Sequence, residues 1–128
     1  MPVNSVWEGS GNVIALDVVR ALSREAAVRD AFHACLNEAT GVDARFDNAV
    51  RAVEHALSSS LDDATAARRV AQLVTLTAQA ALLIRHAPAN IADAFCASRL
   101  NEAGYAGAVF GTLPKGIDAA GIVARARG

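Results

Sequence analysis

The residues with the clearest capacity for chemistry lie near the start of the chain, in the stretch Trp7-Glu8-Gly9-Ser10-Gly11-Asn12. It places one carboxylate after a tryptophan and before a Gly-Ser-Gly turn. Glycine has no Cβ and tolerates positive φ, so such a turn can bring backbone N–H groups and the Ser10 hydroxyl close to a ligand. Glu8 would then lie at the edge of that ligand. The alternative is a solvated loop carboxylate beside a helix N-terminus, where it is mildly stabilising.

Other chemically capable residues are isolated along the sequence. His33, His55 and His86 are single histidines on separate predicted helices, and none has a metal-ligand partner one helical turn away, so we expect no metal site. Cys35 and Cys96 fall inside predicted helices far apart in sequence. We expect both to be reduced core thiols of a cytoplasmic protein without a signal peptide. No Ser-His-Asp set or phosphate-binding loop is legible.

Composition limits the classes of partner. The 128 residues are 53% hydrophobic but only 5% aromatic, which favours helices with a core of small aliphatic side chains. Twelve Lys and Arg against thirteen Asp and Glu give a net charge of −1, so no global basic field exists to recruit nucleic acid or an anionic membrane. The longest uncharged run, residues 70–84, is shorter than the roughly 20 apolar residues of a membrane span.

Hydrophobic periodicity predicts an all-α bundle of five or six helices around a long central helix. The predicted helices cover about residues 12–23, 24–40, 44–57, 62–86, 91–100 and 117–127. Asp43 and Asn90 are the expected N-caps of the third and fifth helices, and Gly41 is the expected residue after the second. Apolar residues recur at helical spacing on the third helix, at Phe46, Val50, Val53 and Leu57.

The stretch from Trp7 to Val13, with Arg20 at the end of the following helix, resembles the C-terminal signature of the acyl-CoA dehydrogenase flavoproteins. The resemblance implies that Glu8 is the base that removes the α-proton of an acyl thioester, while FAD accepts a hydride from the β-carbon. A carboxylate screened from water has its pKa raised toward that of a general base. The resemblance also implies that FAD is contacted by Trp7, Ser10, Gly11 and Asn12. It implies that the substrate is contacted by Gly9 and Arg20.

More than a hundred residues follow Arg20, and this continuation is similar to the AidB-like branch of the family, the adaptive-response or isovaleryl-CoA dehydrogenase-like branch. Residues 93–100 and 109–114 resemble the C-terminal end of that branch. The resemblance implies two parts: residues 1–22 end the dehydrogenase helical domain, and residues 23–128 form an added helical extension. FAD would be shared with upstream flavin-binding domains or other subunits, so we expect the chain alone to be incomplete and inactive.

A second function stays open. The chain could be a non-catalytic helical module for oligomerisation or double-stranded DNA binding. The charges after residue 20 are balanced, so DNA binding would need basic side chains that converge on one face. Arg68 and Arg69 are the first candidates, and the others are Arg85, Arg99, Lys115, Arg125 and Arg127.

Overall fold

The computed structural model describes residues 17–58, 64–100 and 113–128. Within these ranges the chain forms six α-helices and no strand, which confirms the all-α prediction. The helices are α1 (17–24), α2 (Ala26–Asn37), α3 (Ala44–Ser58), α4 (Ala64–His86), α5 (Ala89–Phe95), which continues as a π-helix (Cys96–Leu100), and α6 (Ala119–Arg127).

The longest helix, α4, is the centre of the bundle, as predicted. Its 23 residues span about 35 Å. It packs against α2, α3, α5 and the π-helix. One stripe of α4 still faces solvent, and it consists of Arg68, Gln72, Thr75, Gln79 and Leu82. Neighbouring helices therefore surround the central helix on all but one side.

The predicted stripe on α3 is buried against this centre, because its apolar residues recur every three or four positions. Phe46 and Val53 are fully inaccessible to solvent. Val50 and Leu57 are buried as well. On α2, Leu36 is buried, but Val28 is 40% exposed and does not join the core face.

Two adjoining clusters form the core of the described residues. One gathers around Phe46 and Cys96, and the other includes Val19, Leu22 and Val53. Phe32 packs against both. Because Val19 and Leu22 share a cluster with α3 and α4, α1 is packed into the same body as the helices after it. The domain boundary between residues 22 and 23 stays a prediction.

The chain breaks between α1 and α2 at Glu25, whose φ of −98° and ψ of 98° are extended. The Arg29 side chain bridges this break, because its Nη1 donates a hydrogen bond to the backbone oxygen of Ser23 at 3.3 Å. Helix α2 then ends at Asn37, three residues before the predicted end. The predicted place of Gly41 directly after α2 is therefore wrong: the C-cap is Glu38, and Gly41 lies in the turn that follows, with a φ of 88° that favours glycine.

The predicted helix caps fared differently. Asp43 accepts the backbone N–H of Arg45 at 2.8 Å, which confirms it as the N-cap of α3. The predicted cap at Asn90 is wrong: α5 begins at Ala89 after Pro88, and the Asn90 side-chain amide donates to Asp118 Oδ2 at 3.1 Å. Asp118 itself caps α6 by accepting the N–H of Gly121 at 3.0 Å.

Among the helices that the structure describes, none is long and apolar enough to cross a membrane.

Candidate functional site

The predicted catalytic turn lies outside the described residues, which begin at residue 17. That applies to the proposed base Glu8, and also to Trp7, Gly9, Ser10, Gly11 and Asn12. Their roles stay predictions from the sequence.

Arg20 is the member of the predicted substrate site that the structure describes. It lies on α1 with its side chain 58% exposed, and its Nη1 is 4.0 Å from Asp17 Oδ1. A surface ion pair of this length holds its partners weakly. The guanidinium therefore faces solvent on the helix that leads away from the predicted turn.

The predicted nucleic-acid residues do not converge on α4. Arg68 and Arg69 are exposed near its beginning. Arg85 lies sixteen positions after Arg69, about 24 Å along the helix, and is ion-paired with Glu38. Helix α6, which carries Arg125 and Arg127, packs against α5. Arg85 is therefore far from Arg68 and Arg69, and DNA binding stays a prediction.

The densest polar cluster of the described residues is centred on Arg45, which sequence reasoning missed. Its Nε and Nη2 donate to Asp43 Oδ1 and Oδ2 at 3.0 and 2.7 Å. The same Nη2 donates to Asp93 Oδ1 at 2.6 Å. The planar guanidinium matches a carboxylate with two parallel bonds, so the cluster fixes the start of α3 against α5.

Charge and burial in this cluster shift three ionisable groups. Hydrogen bonding to Arg45 holds the pKa of Asp43 below its usual value, and hydrogen bonding to Asp43 raises the pKa of Arg45. Burial, reinforced by the negative charge of Asp43, raises the pKa of Cys96 to about 12. The thiol is therefore protonated at neutral pH, and it is unsuited to act as a nucleophile because the thiolate is the reactive form.

The sequence held a partial signal for this cluster. A capping Asp two residues before an Arg is visible at the start of α3. The third member, Asp93, is 48 residues away from Arg45, and it comes near only because α5 packs onto α4 and the π-helix that follows α5 packs onto α3.

A cavity of about 330 Å³ lies beside the cluster. Its polar walls are Asp43 and Asp93, and its apolar walls are Val42, Ile84, Ala87, Ala89 and Ala92. A second cavity, of about 270 Å³, opens between α4, α5 and α6. Both volumes fall near or below the lower end of the roughly 300–1,000 Å³ of sites for drug-sized ligands, and FAD is larger than such a ligand. Neither of these two cavities is large enough to hold FAD.

The histidines occupy separate places. His33 Nδ1 is 3.6 Å from Glu54 Oε1 between α2 and α3, while His55 and His86 are exposed. Across residues 17–58, 64–100 and 113–128, no three His, Cys, Asp or Glu side chains gather in a way that could hold a metal ion. Cys35 and Cys96 are both free thiols.

Comparison with known proteins gives one informative similarity. The chain is 36% identical over 104 residues to a protein of Escherichia coli (strain K12) named "Putative acyl-CoA dehydrogenase AidB". The alignment covers 81% of this chain and 19% of that protein, at its C-terminal end. The chain thus corresponds to about a fifth of the curated relative's length. No protein-family model matches the chain, and no solved structure does.

Proposed function

Since the chain is related to the C-terminal segment of an AidB-like acyl-CoA dehydrogenase, as its sequence motifs indicated, we propose that it supplies the proton-removing base of such an enzyme. In this proposal the Glu8 carboxylate takes the α-proton of an acyl-CoA-like substrate. Bound FAD would supply the hydride acceptor. The turn at residues 7–12 forms part of the wall that FAD and substrate share.

The observation that carries the proposal is the 36% identity over 104 residues to the AidB protein. The sequence around Glu8 supports it independently, because a carboxylate next to a run of small residues leaves room for a thioester to approach closely. The Arg20 side chain is 58% exposed on α1, and in this proposal it contacts the substrate or a neighbouring domain.

The rest of the site must come from elsewhere. Neither of the two cavities described above is large enough for FAD, and in this proposal upstream flavin-binding domains or other subunits complete the pocket. The helices from α2 onward would then serve as the extension that joins this part to the assembly.

The direct test replaces Glu8 with Gln in FAD-loaded protein assembled from this chain and its flavin-binding part. Glu8→Gln removes the base and keeps the shape. We expect the flavin absorbance to remain, while bleaching by acyl-CoA and exchange of the α-proton are lost. Glu25→Gln, a change at an exposed glutamate on the surface, is the matched control and should leave both readouts unchanged. Turnover retained by Glu8→Gln would mean that another residue is the base.

A second test uses the 128-residue chain alone. We expect it to fold as a helical protein without flavin absorbance and without dehydrogenation of acyl-CoA. Activity from the chain alone would overturn the view that its site is completed by other domains.

A further inference from the structure

The cavity of about 330 Å³ beside Arg45 combines apolar walls with two carboxylates. Its walls among the described residues are five apolar side chains and the side chains of Asp43 and Asp93. Val42, one of the apolar walls, is 74% exposed. A ligand bound here would therefore remove apolar surface from water, which favours binding.

The two carboxylates differ in how fully Arg45 occupies them. Asp43 is 16% exposed and accepts hydrogen bonds from Arg45 with both of its oxygens. Asp93 is 53% exposed and accepts from Arg45 through Oδ1. Its Oδ2 makes no hydrogen bond or ion pair with the residues that the structure describes. One guanidinium thus meets two carboxylates, and the excess negative charge lies on Asp93.

The helix ends at this cavity do not offset that charge. Ile84 belongs to the last turn of α4, and Ala89 is the first residue of α5. The negative end of one helix dipole therefore lies beside the positive end of another, and their fields oppose each other. The sign of the site is set by the excess carboxylate.

The geometry points to a binding site for a primary ammonium group on a short apolar chain. The ammonium would donate a charge-assisted hydrogen bond to Asp93 Oδ2, while Asp43 stays bound to Arg45. The chain would lie against Val42, Ile84 and Ala92. A metal ion fits less well, because no three side chains that could hold one gather among the described residues. This site goes beyond the proposed function and does not depend on the role of Glu8.

The volume limits the ligand to a small molecule or a single side chain. At about 330 Å³, the cavity is at the lower end of the roughly 300–1,000 Å³ of sites for drug-sized molecules. Pentylammonium is therefore a suitable probe, since it stays protonated at pH 7 as a lysine side chain does. The neutral counterpart of similar length is 1-pentanol. Nα-acetyl-lysine amide presents the same ammonium group on a peptide backbone.

The test titrates the 128-residue chain with pentylammonium at pH 7 and follows its isoleucine methyl signals by NMR. Ile84 lines this cavity and should shift in a saturable way, while Ile91 and Ile122, which line the other cavity, should not. For a ligand of this size we expect a Kd on the order of 1 mM. The alcohol should bind about threefold to tenfold more weakly, because it lacks the charge.

Variants locate the charge that the ammonium group meets. Asp93→Asn keeps an oxygen for Arg45 and should weaken pentylammonium binding about threefold to tenfold, with no effect on 1-pentanol. Asp30→Asn, at an exposed aspartate on α2, is the matched control and should bind as the unaltered chain does.

The source of the ammonium group is read from the lysine probe. Binding of Nα-acetyl-lysine amide as tight as that of pentylammonium supports a lysine side chain of a protein, and weaker binding supports a free amine. Absence of a saturable shift at Ile84 would overturn the proposal. Equal affinity of the unaltered chain for pentylammonium and 1-pentanol would overturn it too, even if Asp93→Asn failed to fold.

Discussion

Arg45 Nη2 lies 2.6 Å from Asp93 Oδ1, and this ion pair ties the first turn of α3 to α5 across 48 residues of sequence. The same guanidinium donates two hydrogen bonds to the capping residue Asp43. One side chain thus joins the cap of one helix to the flank of another. It does so next to the fully buried Cys96, where α5 changes into the π-helix.

Replacing Arg45 with Met should destabilise the chain by about 1–3 kcal/mol, because Asp43, only 16% exposed, would lose its main charge partner. The free energy of unfolding, measured by urea denaturation, checks this value. Arg24→Met, at an exposed arginine, should change it by no more than about 0.5 kcal/mol.

Double-mutant cycles measure separately the coupling free energy of Arg45 with each of the two carboxylates. The coupling of Arg45 to Asp43 should exceed its coupling to Asp93, because Asp43 accepts two side-chain bonds while Asp93 is 53% exposed. Equal couplings would contradict the view that Asp43 is the principal partner.

The pH dependence of stability should follow Asp43. Its pKa is lowered in the folded chain, so between the folded and unfolded pKa values the unfolded chain binds more protons. The stabilisation is fully present above the ordinary Asp pKa of about 3.9 and is lost as the pH falls through the lower, folded pKa. The unaltered chain should exceed Asp43→Asn in stability most above about pH 5. Denaturation from pH 6 downward measures this difference, and a difference that stays constant down to pH 2 would refute the assignment.

Local signals explain what the sequence could predict. The stripe on α3 was predictable because Phe46, Val50, Val53 and Leu57 repeat at the helical period, and the Asp43 cap because it depends on residues one turn away. Asn90 has the side chain of a cap, yet α5 begins one residue earlier, and its amide binds Asp118, 28 residues further on. No periodicity indicates such a partner.

The candidate sites also differ in whether they depend on neighbouring residues or on residues distant in sequence. The predicted catalytic turn is a contiguous sequence motif, so residue types and spacing are sufficient to propose it, although only Arg20 of the predicted site residues falls among the described residues. The Arg45 cluster and the cavity beside it depend on helices that meet in space. The π-helix over residues 96–100 has no sequence pattern that distinguishes it from the α-helix predicted there.

The two thiols should differ in reactivity. Cys35 is half-buried on α2, whereas Cys96 is fully buried and its pKa is raised to about 12. At pH 8 very little Cys96 would be thiolate, and a disulfide reagent could reach the buried sulfur only when the chain opens. In single-thiol variants, Cys35→Ser should therefore react with a disulfide reagent far more slowly than Cys96→Ser. In urea above the unfolding midpoint, the two variants should react at similar rates. Similar rates in the native chain would contradict the burial of Cys96.

Gly121 lies where an added Cβ would meet close neighbours, and its φ is outside the left-handed region that favours glycine. A Cβ there would lie 2.8 Å from Asp118 Cγ and 2.9 Å from Asn90 Nδ2, within the contact that caps α6 and ties it to α5. Gly121→Ala should displace the cap and cost about 1 kcal/mol of local stability, which offsets the gain of about 1 kcal/mol in helix propensity. Hydrogen exchange of the α6 amides measures the outcome. Asp118→Asn keeps a capping oxygen and should protect α6 nearly as well as the original residue, whereas greater protection in Gly121→Ala would mean that the contact is dispensable.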